Sequence, residues 1–237
     1  MTRRPHLFRC SMAVPVGTRL LLVSDPHESA SVLLRVLAGL SRPRSGTVEI
    51  AGLRDGWERR VAYLGPDPGL HAWMTPREVL DLAADLLGLR GNEAAQRIER
   101  VVAWVHLRPA DMERPMSRGG VPLLQRVGLA AALIGDPEVL LLDEPLAALD
   151  EDDRTRLLGP PGPRRTVLLA SRYPARDAAF ASHVALIRAG RVALLAAIRE
   201  ITDAGLPVSM RGIEELADRR AAEVGSRARP GRPAPAL

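Results

Sequence analysis

Four apolar residues in a row, Val139 to Leu142, follow the turn Asp136-Pro137-Glu138 and end in two carboxylates, Asp143 and Glu144. A run this short and without alternation predicts a strand buried on both faces, the kind found in a parallel sheet. Leu20 to Val23, Arg60 to Leu64 and Thr166 to Ala170 read as strands too. Between them the period changes. Ser31 to Leu40 places Val32, Leu33, Val36 and Leu37 at helical spacing, and Thr75-Pro76-Arg77-Glu78 is a capping box with proline at the first helical position. That helix is predicted to run to about Leu87 and stop at Gly88. Helices follow over Glu93 to Val105 and Pro122 to Ile134, separated by a polar, irregular stretch from Arg108 to Gly120. Asp150 is expected to cap a short helix to Leu158, before the turn Gly159 to Pro163. Further on, a helix over Ala175 to Phe180 precedes strands Val184 to Ile187 and Val192 to Leu195, joined at Ala189-Gly190. At the start, Leu7 to Val14 and Thr18 to Val23 bracket Pro15-Val16-Gly17 as a hairpin, and Thr47 to Ala51 reads as another strand. At the far end Ser209 caps an amphipathic helix to about Val224, and the Arg-, Pro- and Gly-rich tail Gly225 to Leu237 predicts disorder.

Strands alternating with helices predict an α/β class in one domain of 237 residues. Composition adds that the 3% aromatic content leaves the core to Leu, Val, Ala and Ile. No apolar run approaches the ~18 residues of a membrane helix, and no signal segment opens the chain. The single Cys10 excludes an internal disulfide. All 33 basic residues are arginine, for a net charge of +5. They are scattered, with little aromatic interleaving, so no nucleic-acid partner is expected. Histidines 6, 27, 71, 106 and 183 show no metal-ligand spacing.

Two adjacent acids at the carboxyl end of a buried strand sit where open α/β sheets place their ligands. A hard cation takes oxygen donors there, and a hydrolytic water needs a base. The run Asp136 to Asp150 resembles the Walker B strand, catalytic Glu and D-loop of ABC transporter ATPase subunits, and the resemblance extends over about residues 7 to 200. It implies a P-loop NTPase-like parallel core sheet with an antiparallel β N-terminal part and an inserted α-helical subdomain. The core would be residues 7–74 and 136–200, the helical subdomain about 75–135, with a C-terminal helix 209–224 and a disordered tail 225–237. It further implies that Asp143 holds Mg²⁺, that Glu144 is the general base, and that Asp150 in the D-loop faces a partner subunit. The ligands would be ATP and Mg²⁺. The partners would be membrane permease subunits and a second ATPase, in a homodimer or heterodimer, on the cytoplasmic face of the cell membrane. Trp73 and Met74 fall in the region that meets the permease in this family, where an exposed aromatic would fit a partner and a buried one the core.

Against that family the chain departs at several sites. A phosphate loop reads GxxxxGK[ST], because glycines let backbone N–H groups form an anion nest and the lysine reaches the phosphates. The equivalent stretch is Ser24-Asp25-Pro26-His27-Glu28-Ser29-Ala30-Ser31-Val32. Ser24, His27 and Ser29 replace glycines and Ala30 replaces the lysine, while Ser31 keeps the hydroxyl that coordinates Mg²⁺. Losing the lysine removes a charge-assisted contact of roughly 1.5–3 kcal/mol. Asp25 and Glu28 add negative charge beside the phosphate position. Pro66 stands at the position of a Mg²⁺-sensing Gln, a role it cannot perform, and Arg172 at that of the His that contacts the terminal phosphate. The nearest match to the family's signature is Ser117, Arg118, Gly119 and Gly120, with Gln125 about three residues too far on. Phe8 is the candidate for stacking on adenine. The resulting expectation is a nucleotide-binding subunit with weakened or lost catalysis. Its alternative is a non-hydrolysing partner of an intact ATPase.

Overall fold

The computed structural model describes residues 7–25, 28–50, 52–144 and 165–227. Six strands form one sheet: β1 (Arg19–Asp25), β2 (Val61–Leu64), β3 (Val139–Asp143), β4 (Thr166–Ala170), β5 (His183–Arg188) and β6 (Arg191–Ala197). Their order is β2-β3-β4-β1-β5-β6, parallel throughout except for the antiparallel β5–β6 pair. The apolar runs that lack alternation are explained by two cores. Leu21, Val23, Leu140, Leu142, Val167 and Leu169 face one side of the sheet; Leu20, Leu22, Leu141, Leu168 and Ala170 face the other. Burying a Val or Leu side chain contributes about 1.5–3 kcal/mol, so neither face of these strands can turn to water without large cost.

Helix α1 (Glu28–Leu37) covers the second face through Leu33 and Leu34. Between β2 and β3 lie α2 (Pro76–Leu86), α3 (Gly91–Trp104), a short α4 (Pro109–Met112) and α5 (Gly120–Ile134), which pack on the first face. The capping box is formed: the Glu78 N–H donates to Thr75 Oγ1 at 3.2 Å and the Thr75 N–H to Glu78 Oε2 at 2.8 Å. After β4 come α6 (Pro174–Asp177), then α7 (Ile198–Asp203) after β6, and α8 (Met210–Arg227).

Several expectations are corrected. No N-terminal hairpin forms among the described residues, and β1 begins only at Arg19. Residues 9–15 do alternate as a strand would, with Cys10, Met12 and Val14 half-buried against the α1-side core and Arg9, Ser11 and Ala13 exposed. Alternation specifies which side is buried but not that a partner strand exists, and the segment's backbone tie to the sheet is the Phe8 N–H to Gly190 O, 2.8 Å. Likewise Thr47 to Ile50 makes only an isolated antiparallel bridge, Ile50 to Leu53, in place of a strand. Among the described residues the antiparallel ladder is therefore β5–β6. These two extended segments and α1 border an open groove of about 2090 Å³. The polar stretch from Arg108 is more ordered than expected, holding α4 and a 3₁₀ turn, Met116–Arg118. Helix α8 continues to Arg227, three residues into the stretch expected to be disordered. The helix expected after Asp150, the turn at Gly159 to Pro163 and the last ten residues lie outside the described residues.

Candidate functional site

Register brings the chemistry together. Asp143 pairs with Ala170 across β3 and β4, and Tyr63 pairs with Leu141 across β2 and β3. Side chains two apart on a strand share a face, so Tyr63, Leu141 and Asp143 all point toward α1. Asp143 is buried there, and two hydroxyls close on it. Ser31 Oγ donates to Oδ1 at 2.8 Å and Tyr63 Oη donates to Oδ2 at 3.0 Å. Burial first, and then the Asp143 charge and hydrogen bond, push the Tyr63 hydroxyl up to about 12. Tyr63 is thus a site residue that the sequence analysis placed only within the strand Arg60 to Leu64. The signal was its place in a strand neighbouring Asp143, two residues short of it in register.

Glu144 follows directly, with its backbone in the left-handed region at φ 48°. Its N–H donates to Ala170 O at 3.1 Å. Its carboxylate meets Arg172, whose Nε donates to Oε2 at 2.7 Å and whose Nη2 donates to the same oxygen. The Glu144 side chain is 9% exposed and that of Arg172 59%. Hydrogen bonding to Glu144, reinforced by its charge, raises the Arg172 guanidinium above its ordinary value. The turn that carries Arg172 is anchored on both sides. Ser171 N–H donates to Leu22 O at 3.1 Å, Ser171 Oγ donates to the buried Asp177, and the Tyr173 N–H donates to Ser171 Oγ at 2.8 Å.

The phosphate-loop candidates lie beside this centre but are occupied otherwise. Ser24 is buried at the end of β1, and its Oγ accepts the Ala30 N–H at 3.0 Å. In an anion nest that N–H would point at a phosphate; here a side chain of the loop itself takes it. Ser29 and Ala30 are both fully buried. Val32 lines the groove outside α1. His27 and Asp150 lie outside the described residues. Pro66 is exposed in the turn after β2. Ser117 and Gly119 are exposed ahead of α5 and Gly120 is exposed as its first residue; the Ser117 N–H donates to Ala72 O at 2.7 Å and the Gly119 N–H to Met116 O at 3.0 Å. A Cβ on Gly119 would meet Leu123 Cδ2 at 2.5 Å, so a glycine is required there by packing. Phe8 has the guanidiniums of Arg9 and Arg191 over its ring, 5.4 and 4.9 Å from the centroid. Trp73 is 69% exposed and stacks on His71 with ring centroids 5.7 Å apart, whereas Met74 packs on the core.

Two hard oxygens, Ser31 Oγ and an Asp143 carboxylate oxygen, held within 2.8 Å of each other suit Mg²⁺, which takes one or two protein oxygens and fills the rest with water and phosphate. The donor set therefore fits the cation. The loop fits polyphosphate less well, since it offers neither a lysine nor the Ala30 N–H. Among the described residues no cluster of three or more His, Cys, Asp or Glu could hold a metal, and no helix is long and apolar enough to cross a membrane.

Comparison with known proteins agrees with this geometry. The sequence model of the ABC transporter family matches residues 9–147. An uncharacterized ABC transporter ATP-binding protein of Nostoc is 34% identical over 179 residues, 74% of this chain and 51% of the relative. This chain thus spans about half the length of that relative. A nickel import ATP-binding protein of Rhodobacter capsulatus is 33% identical over 218 residues, covering 83% of this chain and 85% of the relative. Among solved structures, an ATP-binding subunit of an ABC transporter superposes with TM-score 0.77 at 23% identity, covering 92% and 95% of the two chains. A central strand ending in Asp143 and Glu144 beside Ser31 of α1, in a chain whose residues 9–147 match the family's sequence model, places this protein in the family of ABC transporter ATP-binding proteins.

Proposed function

We propose that this chain is the nucleotide-binding subunit of an ABC import system, with catalysis weakened by its own side chains. Relatives named for import of aliphatic sulfonates, taurine and nickel support the import reading. The observation that carries the weakened catalysis is the Glu144–Arg172 pair. A general base must be within reach of a water and able to take its proton. A carboxylate neutralised by a guanidinium is a poorer base, and its oxygen is already accepting two donors.

The remaining roles follow from position. Ser31 and Asp143 would hold Mg²⁺, whose chemistry at such a site is to neutralise phosphate charge. Ser24 at the end of β1 and Ser29, Ala30 and Val32 at the start of α1 would border the phosphates, with His27 in the sequence between them. Gly120 opens α5 toward a nucleotide on a second ATPase subunit, Ser117 and Gly119 shape the turn before it through N–H bonds to Ala72 O and Met116 O, and Asp150 would belong to the D-loop that meets that subunit. The exposed Trp73–His71 stack is the contact for a membrane permease, which sets the protein on the cytoplasmic face of the cell membrane. Calorimetry with Mg-ATP tests the reading: heat of binding in the micromolar to millimolar range is expected, and no heat with millimolar nucleotide would sink it.

A second reading is a non-hydrolysing partner of an intact ATPase. It is favoured by Pro66, which offers no side-chain donor or acceptor in the turn after β2. On that reading turnover appears only when the chain is mixed with its partner, and the active site belongs to the partner.

A further inference from the structure

Arg172 grips Glu144 from the solvent side. Both donors converge on Oε2, the carboxylate is nearly buried, and the cation is more than half exposed. The carboxylate is the fixed member, because its strand, its left-handed backbone and its N–H bond to Ala170 hold it in place. The guanidinium stands at the end of a long exposed side chain. Next to this pair, Ser31 and Asp143 mark where a phosphate-bound cation belongs. The loop that should supply a cation to the phosphates offers Ala30, and the chain contains no lysine. A guanidinium binds carboxylate and phosphate with the same forked geometry, so the two compete for it directly.

Resting on the nucleotide-binding reading above, we propose that Arg172 is an exchange residue, which leaves Glu144 to take the terminal phosphate of a nucleoside triphosphate. Phosphate binding and release of Glu144 are then a single event. One cation serves two sites in turn: it supplies the charge that the loop lacks, and it frees the carboxylate only when the phosphate is present. The cost is lower affinity, because the ligand must displace an ion pair before it binds.

The probe is ATP in the presence of a chelator, so that no divalent cation substitutes for the guanidinium, and binding is read by calorimetry. Glu144→Gln releases the guanidinium and should tighten binding about five-fold, the worth of a largely exposed ion pair. Arg172→Ala should weaken binding about ten-fold or more, as expected for a lost charge-assisted contact. The deciding variant carries both changes. Under exchange it binds like Arg172→Ala alone, because Glu144→Gln helps only by freeing Arg172. Arg172→Gln should repeat the pattern, so the result does not hang on the folding of one variant. If Glu144→Gln tightens binding equally with and without Arg172, its effect is simple loss of negative charge and the exchange is overturned while the nucleotide-binding reading stands. If neither the wild type nor any variant binds ATP, with chelator or with Mg²⁺, both fall.

Discussion

The Nε and Nη2 of Arg172 converge on one carboxylate oxygen of Glu144, across the parallel register that pairs Asp143 with Ala170. The pair ties the residue after β3 to the turn after β4, and on the proposed function it occupies the carboxylate that would act as base. Its contribution to stability is modest because Arg172 is largely exposed. Arg172→Ala should therefore lower unfolding stability only slightly, as for other exposed pairs. Denaturant unfolding at neutral pH measures it, and a loss above several kcal/mol would mean that Arg172 does more for the fold than hold Glu144.

Rebuilding the phosphate loop should restore binding without restoring turnover. The triple variant Ser24→Gly, Ser29→Gly, Ala30→Lys removes the hydroxyl that consumes the residue-30 N–H and supplies the missing cation. Mg-ATP affinity should rise by about one to two powers of ten, the worth of a charge-assisted contact. Glu144 would still face Arg172, and Pro66 would still offer nothing to the attacking water, so turnover should stay at the wild-type level. Calorimetry and phosphate release read the two quantities separately.

Tyr63 reports on the Asp143 environment. In the metal-free protein its hydroxyl titrates at about 12 against an ordinary 10.0. Between those values the unfolded chain has lost a proton that the folded chain keeps, so stability falls as pH rises through this window and is unaffected below it. The chain has two tyrosines, and Tyr63→Phe should remove the later of two steps in the alkaline ultraviolet titration. The same variant opens Oδ2 of Asp143, so Mg²⁺-dependent nucleotide binding should strengthen.

Gly128 sits where α5 crosses the turn after β2. A Cβ there would meet Pro68 Cβ at 2.7 Å and Leu64 Cδ1 at 3.0 Å. In an exposed helix Gly→Ala would stabilise by up to about 1 kcal/mol. Here the overlap should reverse the sign, to a loss of about 1–3 kcal/mol typical of overpacking. Thermal unfolding of Gly128→Ala decides which effect wins.

Much of the sheet was legible because its strands are buried on both faces and so stand out as unbroken apolar runs, as at Leu20 to Val23 and Val139 to Leu142. The start of α2 was legible from local chemistry alone, since Thr75, Pro76 and Glu78 specify a capping box without help from the rest of the fold. The N-terminal hairpin was misread because alternation at Cys10, Met12 and Val14 reports burial, not strand partnership. At the site, Asp143, Glu144, Ser31 and Arg172 were each recognisable in sequence. Their pairing was not, because Arg172 meets Glu144 and Tyr63 meets Asp143 only through strand neighbours that lie far apart along the chain. A reading by positions finds vacancies in a motif; it does not show that other side chains have filled them.

The central claim is that the chain's own residues hold its catalytic carboxylate closed. Mg-ATP turnover of the purified wild-type protein, measured beside Glu144→Gln, tests it most directly. The account predicts wild-type turnover well below about 1 per second, because the carboxylate is free only while a weakly bound phosphate holds Arg172, and a further loss of that turnover in Glu144→Gln. Wild-type turnover at the roughly 1 per second or faster of ordinary enzymes, abolished by Glu144→Gln, would contradict it.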